Sequence, residues 1–269
     1  MTQGPAPEVL IEFEGVHRAF HGQAVLCGVD LAIREGETFT ILGGSGSGKS
    51  VILKHMIGLL KPDAGRVLVL GDDITDNSEH QLVDVRKALS MVFQSAALFD
   101  SLPVFENIAY PLREHCDWPE PRIAERVREC LEAVGMRGAE RLMPAELSGG
   151  MRKRVGVARG IALEPRVILY DEPTTGLDPA NQRRIGDLIH SLQRRLRVTS
   201  VIVTHELELC FAVSDRVALL KDGRIAVEGA AEAMRASDHP DVRAFLSGEQ
   251  DALPGPEGEA AWRGGPDGP

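Results

Sequence analysis

Aromatic side chains are scarce: eight Phe, two Tyr and two Trp make up 4% of the 269 residues. Surfaces that stack single-stranded bases are built from such rings, so their scarcity argues against that class of function. Positive charge is also in deficit. Thirty Lys and Arg stand against 40 Asp and Glu, a formal net charge of −10 at pH 7. Nucleic acid as the main partner needs a basic stripe, and the balance runs the other way. The four cysteines, Cys27, Cys116, Cys130 and Cys210, form no CxxC pair, a pattern expected of reduced core thiols in a cytosolic protein. No apolar run approaches the roughly 20 residues that cross a bilayer. The opening MTQGPAPEVL has neither the basic segment nor the apolar run of a signal peptide. If the protein serves a membrane, another chain is expected to supply the spanning part.

What is present is an ordinary core-forming composition, 43% hydrophobic, in a length that suits one large α/β domain. Residues 9–13 and 25–33 read as β segments around the polar turn His21-Gly22-Gln23. Thr38 to Leu42 is a short apolar strand that runs into glycines, and a helix is expected over 49–60, closed by Lys61-Pro62-Asp63-Ala64-Gly65. Strands are expected at 66–70 and 89–93. Ile123, Val127, Leu131 and Val134 then fall on one helix face, and much of 95–165 reads as a helical insert. The unbroken apolar runs at 167–170 and 200–203 suit strands buried on both faces, with an amphipathic helix between them marked by Ile185, Leu188, Ile189, Leu192 and Leu196. Strands alternating with helices imply a mostly parallel sheet. The chain beyond Gly248 is rich in Pro, Gly and acid, without periodicity, and is expected to be disordered.

Gly43-Gly44-Ser45-Gly46-Ser47-Gly48-Lys49-Ser50 matches G-x-x-x-x-G-K-[ST], with a strand before it and a helix after it. Glycines let the backbone wrap a phosphate chain with its N–H groups inward, and the helix start adds the positive end of its dipole. Lys49 reaches the terminal phosphates, and the Ser50 hydroxyl suits Mg²⁺. Asp171 follows an apolar strand, where its carboxylate would hold the Mg²⁺ water shell. The adjacent Glu172 is the candidate general base for an attacking water.

A second anion site stands at Leu147-Ser148-Gly149-Gly150-Met151, before another helical stretch over 152–163. A second site is redundant in one copy. It makes sense if Ser148, Gly149 and Gly150 cap the γ-phosphate held by another copy of the protein. Here the chain resembles the ABC ATPase family, whose signature is LSGGQ, over residues 8–247. The resemblance implies a P-loop NTPase fold with a mostly parallel central sheet, an antiparallel β subdomain and the helical insert. ATP and Mg²⁺ are implied as cofactors. Gln94 is similar to the family's Mg²⁺-sensing glutamine, and Asp178 of Gly176-Leu177-Asp178 to the loop that crosses the dimer interface. His205 resembles the switch histidine at the γ-phosphate, and Phe20 the aromatic that stacks on adenine. Met151 stands where the signature has Gln, which leaves the Ser148 and glycine-backbone contacts intact.

The segment 93–115, from Phe93-Gln94-Ser95-Ala96-Ala97-Leu98-Phe99 to Leu112-Arg113-Glu114-His115, resembles the ATPases of Mla-type phospholipid transporters, which work with MCE-domain proteins. Leu142-Met143-Pro144-Ala145-Glu146 and Asp241-Val242-Arg243-Ala244-Phe245-Leu246 share that likeness. The resemblance implies a second copy, an integral membrane permease, an MCE-domain lipid-binding protein and a small cytoplasmic accessory subunit as partners. The place of work would be the cytoplasmic face of the bacterial inner membrane. Leu98, Phe99, Leu102 and Phe105 could form an apolar pocket for a partner helix. An importer ATPase for an amino acid or a metal is the alternative reading. A chromosome or repair ATPase would need a long coiled-coil insertion or zinc-binding cysteine pairs. A translation-associated relative would need two cassettes in one chain.

Overall fold

The computed structural model describes residues 8–248. Residues 1–7 and the expected tail beyond Gly248 lie outside it. Strand β1 (Val9–Phe20) turns at His21 and Gly22 into β2 (Gln23–Arg34), and the two pair antiparallel. After β3 (Thr38–Leu42) and helix α1 (Lys49–Met56), β4 (Ala64–Val69) and β5 (Asp72–Asp73) add to them in the order β2-β1-β4-β5. This is the expected antiparallel subdomain. Helix α1 stops four residues short of Leu60. The Leu59 N–H closes back on the Lys54 carbonyl at 2.8 Å, a Schellman-type bond that ends the helix.

Helix α2 (Leu82–Ala88) leads to β6 (Leu89–Val92), and three helices follow: α3 (Val104–His115), α4 (Glu120–Ala133) and α5 (Gly149–Gly160). The chain then returns through β7 (Val167–Asp171), α6 (Pro179–Leu196) and β8 (Thr199–Thr204). Helix α7 (Leu207–Val213), the hairpin β9 (Arg216–Lys221) and β10 (Arg224–Ala230), α8 (Ala231–Arg235) and α9 (Pro240–Leu246) complete it. The second sheet has the order β10-β9-β3-β8-β7-β6, parallel except for β10. None of the described helices is long and apolar enough to cross a membrane.

The apolar runs of β7 and β8 divide residue by residue between two cores, as period-2 geometry requires. Val167, Leu169, Val201 and Val203 join a cluster with β1, β2 and α1, whereas Ile168, Tyr170 and Ile202 join one with the helices. Ile123, Val127, Leu131 and Val134 are all buried in the latter. Leu196, expected on the inner face of α6, is 45% exposed at the end of that helix. Helix α5 begins at Gly149 rather than Arg152, because the Ser148 hydroxyl caps it by accepting from the Met151 N–H at 3.3 Å. Its other end meets Arg126 of α4. That guanidinium, 9% exposed, donates to the carbonyls of Ile161 at 2.7 Å and Ala162 at 3.0 Å.

The end of the loop before α3, from Phe99 to Pro103, is held by Asn107. Asn107 is 0% exposed, its carbonyl accepts from the Phe99 N–H at 2.8 Å, and its amide donates to the carbonyls of Phe99, Leu102 and Pro103. Asn107→Leu keeps the number and branching of the side-chain heavy atoms and removes all of these bonds. The expected loss is about 2–5 kcal/mol, because each buried polar group left unpaired costs about 1–3 kcal/mol. Urea unfolding measures it, and a change below about 0.5 kcal/mol, the size of a neutral surface substitution, would refute the assignment.

Candidate functional site

The parallel strands end level with one another. Leu42 of β3 pairs with Thr204 of β8, Asp171 of β7 with Val203, and Val92 of β6 with Tyr170. The loops that follow therefore start side by side: Gly43, His205, Glu172 and Gln94, in the sheet order β3-β8-β7-β6. Ligands of parallel α/β sheets bind beyond these carboxyl ends. Here a cavity of about 980 Å³ opens, walled by residues 44–51, Gln94, Glu172, Thr175 and His205.

Residues 43–48 link the fully buried β3 to α1. Gly48 caps the helix at φ 103°, and a Cβ there would lie 3.1 Å from Val25 Cγ1 and 3.2 Å from Leu26 Cδ2. Only glycine fits both the angle and the approach of the β1–β2 hairpin. Lys49, 6% exposed, folds over the loop and donates to the carbonyls of Gly43 and Gly44, each at 2.8 Å. Its ammonium stands 3.4 Å from Glu172 Oε1. The Ser47 hydroxyl is buried without a partner in the protein, as a loop shaped for a polar ligand would leave it.

Across the cavity, the Ser50 hydroxyl donates to Asp171 Oδ1 at 2.8 Å. Burial pushes the Asp171 carboxyl above the usual carboxylate range; the Ser50 bond opposes this and the Glu172 charge adds to it. A hydroxyl and a buried carboxylate, with the Gln94 amide lining the same cavity, form an oxygen set that fits Mg²⁺. A cation there would relieve the crowding of Asp171 and Glu172. Glu172 is held from several sides. Its Oε2 accepts from Thr175 Oγ1 at 3.1 Å and Thr204 Oγ1 at 3.3 Å, and His205 Nδ1 lies 3.0 Å away. The His205 side chain is 52% exposed and faces the opening.

Other expected site residues stand elsewhere. Ser148, Gly149 and Gly150 begin α5 beside α6, with the Gly150 Cβ direction 3.3 Å from Asn181 Oδ1 and that of Gly149 3.4 Å from Leu177. Asp178 caps α6, accepting from the Ala180 and Asn181 N–H groups at 3.0 and 3.1 Å. None of these four lines the cavity of its own chain. Met151, where the signature has Gln, packs against the helical core. Phe20 closes β1 with the Arg18 guanidinium 4.8 Å over its ring; Val25, on the paired strand, reaches the cavity wall and Phe20 does not. Thr175 and Thr204, which fix Glu172, went unread in the sequence, although each stands within three residues of a motif residue. Leu207 and residues 245–248 also line the cavity, brought there by α7 and α9; the sequence singles out 241–246 for its likeness to relatives and not for this place.

Comparison with known proteins places this geometry. The ABC transporter family model matches residues 26–175. MlaF of Escherichia coli K12, named the ATP-binding protein of an intermembrane phospholipid transport system, is 41% identical over 242 residues, 90% of each chain. The Probable ribonucleotide transport ATP-binding protein mkl of Mycobacterium tuberculosis H37Rv is 40% identical over 93% of this chain and 69% of its own. Among solved structures, the ATP-binding cassette MJ0796, a dimer bound to ADP and Pi, superposes with a TM-score of 0.76 at 30% identity, over 82% of this chain and 99% of that one. For cbiO1 of Clostridium perfringens, part of the ABC transporter complex cbiONQ, the TM-score is 0.79 at 30% identity, over 90% and 97%. More than half of the 269 residues fall inside the family match, and the chain belongs to the ABC transporter family, as one of its ATP-binding, ATP-hydrolysing subunits.

Proposed function

We propose that this subunit powers phospholipid transport, with two copies closing on ATP and Mg²⁺ beneath a separate integral membrane permease. The observation that carries the motor is the row of loops at one sheet edge, with the signature segment out of reach in the same chain. One ATPase domain over 8–247 then has half of each site, and a second copy brings the other half. Gly43, Gly44, Ser45, Gly46, Ser47, Gly48 and Lys49 bind the phosphates. Ser50, Gln94 and Asp171 hold Mg²⁺, which neutralises phosphate charge when bound. Glu172 takes the proton of the water that attacks the γ-phosphorus, as the bond to the departing ADP breaks. His205 orients the γ-phosphate, and Phe20 stacks on the base from the hairpin rim. Ser148, Gly149 and Gly150 of the second copy close over the γ-phosphate, and Asp178 borders that interface.

The cargo reading rests on the 93–115 segment and on the likeness to MlaF, which spans 90% of both chains. It puts the subunit at the cytoplasmic face of a bacterial inner membrane, with an MCE-domain protein and a small accessory subunit as further partners. A groove of about 320 Å³ beside α3 and β6 supports a permease contact. Phe99 and Tyr110 line it, 44% and 50% exposed, with ring centroids 5.2 Å apart. Of the four apolar residues expected to form such a pocket, only Phe99 lines it; Leu98 and Phe105 pack into the helical core.

Glu172→Gln is expected to bind MgATP and hydrolyse it about 10²–10⁴-fold more slowly, the usual loss with a general base. Near-parental turnover in single-turnover assays removes Glu172 from that role. For the dimer, Ser45→Cys and Gly149→Cys should crosslink between copies only, and more so with ATP when hydrolysis is blocked. Burial pushes the thiols of Cys130 and Cys210 up to about 11 and about 12, so only Cys27 and Cys116 need replacing first. An intrachain link between those positions would sink the two-copy motor. Cargo is tested by copurifying the membrane partner and identifying its bound molecule by mass spectrometry. Phospholipid is expected; a small polar solute in its place overturns the lipid reading.

A further inference from the structure

A buried lysine with no part in binding phosphate touches both loops that flank the γ-phosphate position. Lys153 lies five residues beyond the Ser148 cap of α5 and is 7% exposed. Its ammonium donates to the Gln94 carbonyl and, at 3.3 Å, to the Glu172 carbonyl. Those two residues leave the adjacent strands β6 and β7, and both line the nucleotide cavity. Glu172 sits at φ 46°, in the left-handed region that a non-glycine residue keeps only when its surroundings hold it. The Val203 carbonyl takes its N–H at 3.0 Å, and Lys153 shares its carbonyl with the Thr175 N–H. Burial works against the charged ammonium, and the charges of Glu206, Glu172 and Asp171 favour it.

The same helix grips the rest of the first loop. Arg159 donates to the carbonyls of Ala96 and Ala97 at 2.9 and 2.8 Å, and both alanines have positive φ, 63° and 46°. Between the two cations, Gly156 lets α5 close on the loop: a Cβ there would lie 3.0 Å from Ala96 Cβ. Sequence position thus puts a donor, a gap and a donor on one helix stripe, and the loop backbone fits against it.

We propose that Lys153 is a positioning residue for hydrolysis, tying the Glu172 backbone to the helix that begins at the signature. The inference rests on Glu172 as general base. Without the tether, the Glu172 backbone loses its hold from α5, and the carboxylate no longer stays aimed at the attacking water. Nucleotide binding, which uses the 43–50 loop, is left alone.

The test uses the full-length chain, with its membrane partner where that copurifies. Lys153→Met is expected to lower kcat about 10–100-fold, the scale of a misplacement of about 1 Å, while ATP affinity, read with a fluorescent nucleotide, changes less than about threefold. Added to Glu172→Gln, the same substitution should slow the residual reaction by less than about threefold, because the group it positions is already disabled. Lys153→Gln, with a shorter donor, should be intermediate, and it serves the same comparisons if Lys153→Met does not fold. A kcat within about twofold of the parent, equal losses in affinity and kcat, or a further loss of about tenfold in the double variant each overturns the inference. If Glu172→Gln alone keeps its turnover, the general-base reading falls first, so the two failures are told apart.

Discussion

Four parallel strands stop at the same level, and at that level the sheet ladder runs out of partners. Each chain leaves its strand with backbone groups that need new ones. The fold meets that need in two ways. After β3 the chain passes through glycines into α1, whose free N–H groups make an anion site. After β6, β7 and β8 it leaves carboxylate, amide and imidazole side chains facing that site. Because the register aligns Leu42 with Thr204 and Asp171 with Val203, these groups meet without any long loop. The acids collect opposite the helix start, and burial raises the Asp171 carboxyl in consequence. A cation there would relieve the cost of that crowding, and the anionic phosphates suit the helix start and Lys49 on the facing side.

The parts legible in the sequence are those in which neighbours along the chain are also neighbours in space. The 43–50 loop is one contiguous turn, so its spacing carries its geometry. The doubly buried strands β7 and β8 show as unbroken apolar runs because both of their faces are covered. The role of Asn107 was not legible, since one amide serving Phe99, Leu102 and Pro103 leaves no periodic trace. The stop of α1 at Met56 depends on a closing bond at Leu59, and the exposure of Leu196 on where α6 ends. Leu98, Phe99, Leu102 and Phe105 suggest one apolar pocket, but Phe99 lines the groove whereas Leu98 and Phe105 pack against the helical core. Composition could not say which side each would take.

The separation of Ser148 and Asp178 from the cavity has a local cause. Ser148 caps α5 and Asp178 caps α6, and the two helix starts pack together through Gly149, Gly150, Leu177 and Asn181. This face is held by the two caps and by the close approach that the glycines allow. The substitution at 151 fits the same picture. A methionine there adds apolar surface to the helical core, and the exposed cap at Ser148 remains.

Helix α5 is the rigid reference for these parts. Ser148 terminates it at one end, the Arg126 guanidinium at the other, and its inner stripe meets the loops after β6 and β7. The hydrogen bonds from Lys153 and Arg159 all go to carbonyl oxygens of those loops, and the Arg159 guanidinium also lies 5.9 Å from the centre of the Phe99 ring. A carbonyl is present whatever residue occupies the position, so the helix fixes the path of the loop through its backbone. Glu172 and Gln94 can then be directed at the cavity, and Phe99 at the outer groove, from backbones anchored to one element. A displacement of α5 would be felt at both places. That connection follows from which atoms the two cations hold, and it would not follow from proximity alone.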